Sequence, residues 1–264
     1  MARLTVSSLM SEYSLIKGFR RKHSSSAKMV PAGFGRSPVR AEESIVGLGR
    51  LSDEVFDAVI FDMDGTLIDS VPAVERSWGI WAAEHGLDVD TIRRFHGVPA
   101  AGVVEMLIPK DQQQSAINRI NELEVADVEG IVVLPGAAEA LAAVKGAKNA
   151  IATSCTSDLA KARITATALQ VPAVLVTADD VTRGKPDPEP FLTAAERLGV
   201  DPSRCLVVED APAGVAAAQA AGCFTLGVQT TTPAERMPAD ALVPDLSAVR
   251  FEVVEGGGIR IREA

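Results

Sequence analysis

Apolar residues come along this chain in short runs separated by longer stretches of mixed character. The run at residues 55–61 is nearly all apolar or β-branched, as are those at 149–153, 173–176, 205–208 and 224–228. Continuous runs of this length predict strands buried on both faces, because a strand with one wet face alternates with polar residues. Between the runs, helical spacing predicts helices over residues 136–144, 158–169, 188–198 and 211–221. Strands alternating with helices predict an α/β fold, a doubly wound parallel sheet with helices on both sides.

Two segments break this rhythm. Residues 71–128 separate the first two predicted strands and are too long for one crossover helix. Their polar-apolar pattern predicts several helices, read as a small helical domain inserted into the sheet domain. The expected division is a helical cap over 71–134 and an α/β core over 51–70 and 135–264. At the other end, the runs 249–254 and 259–262 flank a glycine-rich 255–258, which predicts a β-hairpin.

Composition adds limits. With 264 residues, 47% of them hydrophobic, the chain can bury a sizeable core, and global disorder is excluded. The net charge of −9 argues against a nucleic-acid partner, whose footprint is basic, and against an anionic membrane surface. The first 40 residues differ: eight basic residues stand against Glu12 alone, a local charge of +7 that leaves −16 for the remainder. Residues 1–50 are therefore read as a flexible basic tail. The expected role is an inert extension, with Met10 or Met29 as an alternative start; an organelle-targeting peptide and a disordered arm are the other readings. The longest uncharged stretch, 211–234, is broken by Gly, Pro, Gln and Thr, unlike a membrane span. Cys155, Cys205 and Cys223 make no C-x-x-C pair, so neither a disulfide framework nor a thiolate zinc site is expected. Free thiols, a cytoplasmic location and a monomer are the resulting expectations.

Ligands of an open parallel sheet gather at the carboxyl ends of its strands, so the residues just past each apolar run carry the candidate chemistry. After the first run come Asp62 and Asp64, two carboxylates followed by Gly65, which lets the chain turn. Two such anions repel unless a proton or a divalent cation intervenes. One can attack phosphorus while its neighbour shuttles the proton. The same Asp and Gly would also suit a helix cap and a turn. After the second run, Thr153, Ser154, Cys155 and Thr156 offer hydroxyls and backbone N–H groups at a helix start, which suits a phosphate or an ordinary cap. Lys185 lies in a loop stiffened by Pro186 and Pro188, where its ammonium could offset phosphate charge or be a solvated loop lysine. Glu209 and Asp210 follow the 205–208 run and supply hard oxygen ligands suited to Mg²⁺, or a capping Asp.

Taken in order, Asp62-Met63-Asp64-Gly65-Thr66, Thr153-Ser154, Gly184-Lys185-Pro186-Asp187-Pro188 and Val207-Val208-Glu209-Asp210-Ala211-Pro212-Ala213-Gly214 resemble the four motifs of the haloacid dehalogenase superfamily of phosphohydrolases. The resemblance runs from residue 57 to the C-terminus. It implies that Asp62 is the nucleophile and Asp64 the general acid/base. It further implies that Ser154 and the Cys155 amide hold phosphate, that Lys185 clamps it, and that Asp62, the Asp64 carbonyl and Asp210 bind Mg²⁺ with Glu209 in support. The Cys155 side chain is expected to be inert.

Within the superfamily the chain is similar to sugar-phosphate phosphatases of the hexose-phosphate and glycerol-phosphate types, on segments that include residues 69–76, Trp78, Trp81 and Leu134-Pro135-Gly136-Ala137. This implies a helical lid that selects the substrate, with His96 and Gly97 touching sugar hydroxyls. Beta-phosphoglucomutases share the cap type but usually carry a His where this chain has Val74 and often a Val where it has Thr66. Trp78 and Trp81 share a helix face and are expected in the cap core; Glu124 is expected to be a solvated helix acid. The implied function is Mg²⁺-dependent hydrolysis of a small sugar or sugar-alcohol phosphate through an aspartyl-phosphate. A sugar phosphomutase and a catalytically idle sugar-phosphate binding module are the alternatives.

Overall fold

A computed structural model of the protein describes residues 47–93 and 100–264. Six parallel strands form the central sheet in the order β5-β4-β1-β6-β7-β8. They are β1 (Ala58–Phe61), β4 (Lys148–Ala152), β5 (Val174–Val176), β6 (Cys205–Glu209), β7 (Phe224–Val228) and β8 (Ala241–Val243). The first five lie on the five predicted runs. β8 lies outside those runs.

The alternation of side chains along β1 explains why its sequence is apolar throughout. Val59 and Phe61 point into one hydrophobic cluster, with Ile151, Leu206, Val208 and Leu226. Ala58 and Ile60 point into a second on the opposite face, with Ala150, Cys205 and Val207. The first face is covered by α5 (Ala137–Ala143) and α6 (Ser157–Thr167), the second by α7 (Glu189–Leu198) and α8 (Pro212–Ala220). Short residues such as Ala194, Ala195, Ala217 and Ala218 let the latter two helices approach the sheet closely. The predicted hairpin forms as β9 (Val249–Val253) and β10 (Ile259–Glu263), an antiparallel pair whose Phe251, Ile259 and Ile261 join the first cluster.

The fold reaches further toward the N-terminus than residue 51. Gly47 bridges to Leu242, and Leu48 and Leu51 are buried in the first cluster, so residues 47–50 belong with the core and not with the basic tail.

The inserted segment, residues 71–126, forms four helices among the described residues: α1 (Val71–Glu84), α2 (Val89–Arg93), α3 (Ala100–Leu107) and α4 (Gln113–Ala126). They have their own core, built from Trp78, Trp81, Ile92, Val103, Val104, Ile108 and Ile120 among others, separate from the sheet clusters. A short antiparallel pair, β2 (Ile68–Asp69) with β3 (Val132–Val133), closes the neck where this helical cap leaves and rejoins the sheet domain. Two-residue strands carry no sequence periodicity, so nothing in the pattern marks this neck.

No described helix is long and apolar enough to cross a membrane, and the three cysteines are all buried.

Candidate active site

The chain runs β1, β4, β5 toward one edge of the sheet and then returns to place β6 beside β1. This reversal opens a crevice at the carboxyl ends of β1 and β6. Phe61 pairs in register with Val208 of β6 and with Ile151 of β4. The next residues along the three parallel strands, Asp62, Glu209 and Ala152, therefore meet at one level. The Asp62 N–H continues the ladder by donating to Val208 O at 2.9 Å.

Lys185 reaches into this junction from its loop and is 7% exposed. Its ammonium donates to the Asp62 carboxylate, to Glu209 Oε1 at 2.8 Å and to the main-chain carbonyl of Ala152 at 2.9 Å. All three donors of the ammonium are thus used, so Lys185 is a buried, paired cation and not a solvated loop lysine. Burial disfavours its charge, but Asp62 and Glu209 outweigh that and hold its pKa above the ordinary range.

Asp62, Glu209 and Asp210 are buried, and one carboxylate oxygen of each lies within 4.8 Å of the others. Three carboxylates then face one ammonium. Burial pushes the Asp62 pKa well above the usual carboxylate range; Lys185 pulls it back, while Glu209 and Asp210 push it further. Burial and the Glu209 charge raise Asp210 to about 7, against the lowering influence of the Thr231 hydroxyl and Lys185. A cluster of hard oxygen donors that destabilises its own anions in this way suits a divalent cation of the Mg²⁺ class.

A glycine makes room for one of these acids. Gly65 has φ +84°, and a Cβ there would come 2.2 Å from Asp210 Oδ2. Asp210 is also held by the Thr231 hydroxyl and, at 3.4 Å, by the Thr66 hydroxyl. Glu209 is fixed by Lys185 on one oxygen and by the Ala211 N–H at 2.8 Å on the other.

Asp64 has a separate set of partners. Its Oδ1 accepts from the Ser70 hydroxyl at 2.7 Å and from Arg163 Nη1 at 2.7 Å. Its Oδ2 accepts from the Cys155 thiol at 3.0 Å. Arg163, on α6, is 4% exposed and lies 3.5 Å from Glu124 of α4.

Above these groups is a cavity of about 850 Å³ between sheet domain and cap. Asp62, Asp64, Lys185 and Asp210 line its floor, with Thr153, Ser154 and Cys155. Val74, Trp78, Asn121 and Glu124 line its roof.

Asp62, Lys185, Glu209 and Asp210 thus converge as the motif order requires, and Ser154 is exposed at the mouth of the same cavity. The Cys155 amide, expected to face phosphate, donates to Thr153 Oγ1 at 3.1 Å. The Cys155 side chain is not inert as a contact: its sulfur touches both Asp64 and Arg163, at 3.0 and 3.2 Å. Burial and the neighbouring Asp64 push its pKa far up, so it stays a thiol. Glu124 is not a solvated helix acid. It is 8% exposed, and its pKa is raised by burial against the pull of Arg163. Trp81 is cap core as expected, with its indole N–H on Ala116 O at 2.9 Å; Trp78 packs edge-on against it and also faces the cavity. His96 and Gly97 lie outside the described residues.

Arg163, Ser70 and Thr231 were missed. Thr231 had a signal, since it follows the end of β7 as the other candidates follow theirs. Arg163 had a weaker one: it sits four residues after Leu159 on the buried face of α6.

Comparison with known proteins agrees with this geometry. Residues 56–222 match the family model for haloacid dehalogenase-like hydrolases. Hexitol phosphatase A of Escherichia coli is 41% identical over 210 residues, covering 77% of this chain and 97% of the relative. Validoxylamine A 7'-phosphate phosphatase of Streptomyces hygroscopicus is 37% identical over 207 residues, covering 75% and 97%. Among solved structures, a hydrolase from Pseudomonas syringae superposes with a TM-score of 0.64 at 31% identity, covering 72% of this chain and 94% of that one. The chain belongs to the haloacid dehalogenase-like hydrolase family.

Proposed function

We propose that this protein is a phosphoric monoester hydrolase that takes small sugar or sugar-alcohol phosphates and depends on Mg²⁺. The observation that carries the reading is the meeting of Asp62, Lys185, Glu209 and Asp210 at the floor of a cavity roofed by the cap. The names of the relatives, a hexitol phosphatase and a validoxylamine A 7'-phosphate phosphatase, support the substrate class.

In this reading a carboxylate oxygen of Asp62 attacks phosphorus, forming an aspartyl-phosphate as the ester P–O bond breaks. Asp64 gives its proton to the departing alcohol oxygen. It then takes a proton from a water, whose oxygen attacks phosphorus and releases Asp62 and phosphate. Lys185 holds Asp62 in place and offsets charge on the transferring group. The Ser154 hydroxyl and the backbone around Cys155 are the phosphate contacts, and His96 and Gly97 are the proposed sugar contacts. The carboxylates of Asp62 and Asp210 and the main-chain carbonyl of Asp64 would hold Mg²⁺, with Glu209 in support. When bound, the ion supplies the positive charge that stabilises phosphoryl oxygens in the transition state. The roof of Trp78, Asn121 and Glu124 keeps bulk water from the reacting atoms and gives the polyol both an apolar surface and hydrogen-bonding groups.

Incubation with Mg²⁺ and a panel of hexitol, hexose and glycerol phosphates tests this. Release of inorganic phosphate by the protein, and its loss in D62N, are the expected results. An isomeric sugar phosphate without free phosphate would point to a mutase. Binding without turnover would point to a sensor, and full turnover by D62N would overturn the covalent route.

A further inference from the structure

Asp64 has three hydrogen-bond donors, and they are unequal. The Ser70 hydroxyl belongs to the neck leading into the cap, and the Cys155 thiol is a weak donor. Only Arg163 makes a charge-assisted bond, Nη1 to Oδ1 at 2.7 Å. The Asp64 side chain is 25% exposed at the cavity floor, whereas that of Arg163 is 4% exposed. The guanidinium is therefore the enclosed partner, and the carboxylate the one that faces the cavity.

What fixes the guanidinium is a second carboxylate on a different part of the fold. Glu124 Oε1 lies 3.5 Å from Arg163 Nη2, and its own side chain is 10% exposed. Arg163 is anchored through α6, which packs Leu159 and Ala160 into the sheet core, while Glu124 is on α4 of the cap. One buried, planar fork thus touches the cap with one nitrogen and Asp64 with another. Its Nε is buried and has no hydrogen-bond partner among the described residues. Such a cost is tolerated where the rest of the group does something an apolar side chain could not.

We propose that Arg163, braced by Glu124, is a positioning residue that aims the Asp64 carboxyl group at the ester oxygen of the substrate. The inference rests on the proposed phosphatase reading and assigns a role to a residue outside the four motif segments. Proton transfer needs the acid within about 2.6–3.2 Å of the oxygen it protonates. A displacement of about 1 Å costs on the order of 100-fold. In the step concerned, the bond from phosphorus to the ester oxygen breaks as the Asp62–phosphorus bond forms. The proton passes from Asp64 to that oxygen, and Asp64 is left as the carboxylate that accepts from Arg163.

Leaving-group dependence separates this role from a purely structural one. An alkoxide must be protonated to leave, whereas p-nitrophenolate leaves without a proton. The ratio kcat/KM reports only the steps up to P–O cleavage, so the later attack of water does not enter. In R163M, kcat/KM for sorbitol 6-phosphate is expected to fall about 100-fold. For p-nitrophenyl phosphate it is expected to fall less than about threefold, because no acid is needed there. Equal losses on both esters would overturn the proposal while leaving the phosphatase reading intact. Should R163M not fold, E124Q decides, since it keeps Arg163 and removes the charge of its brace; because Glu124 also lines the cavity, ethyl phosphate, which has no hydroxyls for it to hold, then replaces sorbitol 6-phosphate. A smaller loss selective for ethyl phosphate over p-nitrophenyl phosphate supports the proposal, and an unchanged ratio of these two esters overturns it. Failure of the unaltered protein to hydrolyse either ester would be a failure of the phosphatase reading itself.

Discussion

Gly214 and Glu209 occupy one space: a Cβ built on Gly214 would lie 1.6 Å from Glu209 Oε1. The helix α8 therefore begins where it does only because its third residue has no side chain, and the Glu209 carboxylate folds over it to reach Lys185 and the Ala211 N–H. G214A should favour the helix by roughly 1 kcal/mol on propensity alone. In this place it must displace Glu209 and free Lys185 to move. The expected outcome is a fall in kcat/KM of at least about tenfold, in line with roughly 1–3 kcal/mol for a broken buried hydrogen bond. Phosphate release and a melting curve on the same sample check it; unaltered activity would show that Glu209 does not need its present position.

The three-carboxylate cluster predicts a stabilising response to metal. Protein stripped with a chelator should lose phosphate release and regain it on addition of Mg²⁺. Its Tm should also rise with Mg²⁺, by about 2.7 kcal/mol of stability at a hundredfold excess over the Kd. D210N, which removes one of the three clustered acids, should abolish most of that shift. Calorimetry with and without Mg²⁺ is the measurement, and an equal shift in D210N would place the ion elsewhere.

The N-terminal boundary is testable by truncation. A chain starting at Gly47 keeps Leu48 and Leu51, which are 1% and 0% exposed, and the bridge from Gly47 to Leu242. A chain starting at Ser52 loses all three. At about 1.5–3 kcal/mol for each fully buried leucine, the second should be less stable than the first by roughly 3–6 kcal/mol. Urea unfolding of the pair would show this as a lower midpoint at similar slope.

Asp180 gives a pH-dependent element. The Arg197 guanidinium at 2.6 Å, with the N–H and hydroxyl of Thr177, lowers its pKa from 3.8 to about 2. A carboxylate whose folded pKa lies below its unfolded one stabilises the fold fully above about pH 4 and loses that contribution as the pH falls toward 2. D180N should therefore melt below the unaltered protein at pH 6, and the gap should close between pH 4 and pH 2. A gap independent of pH would mean that the charge of Asp180 contributes nothing.

Local pattern alone carried five of the six sheet strands, the four helices packed on them, the helical insertion and the terminal hairpin. The reason is that each depends on residues within one element. Val59 and Phe61 must be apolar for one face and Ala58 and Ile60 for the other, so the run is visible without any knowledge of its neighbours. The positions of Asp62, Lys185, Glu209 and Asp210 were legible for a related reason: each stands just past an apolar run or in a proline-stiffened loop, and parallel strands bring such ends together.

The tertiary structure alone decided what lies more than one contact away from a strand end. Arg163 and Glu124 look on their helices like ordinary charged residues; the spacing of Arg163 from Leu159 is a faint signal, and no pattern shows that they are 4% and 8% exposed and meet each other. They are buried because α4 of the cap and α6 of the core happen to face each other, a relation between segments that share no periodicity. The three-residue β8 and the two-residue strands at the neck are hidden for the same reason: their pairing partners, not their own side chains, make them strands. Sequence determined which groups could do chemistry, since residue type sets charge and hydrogen bonding; only packing in three dimensions decided which of them meet.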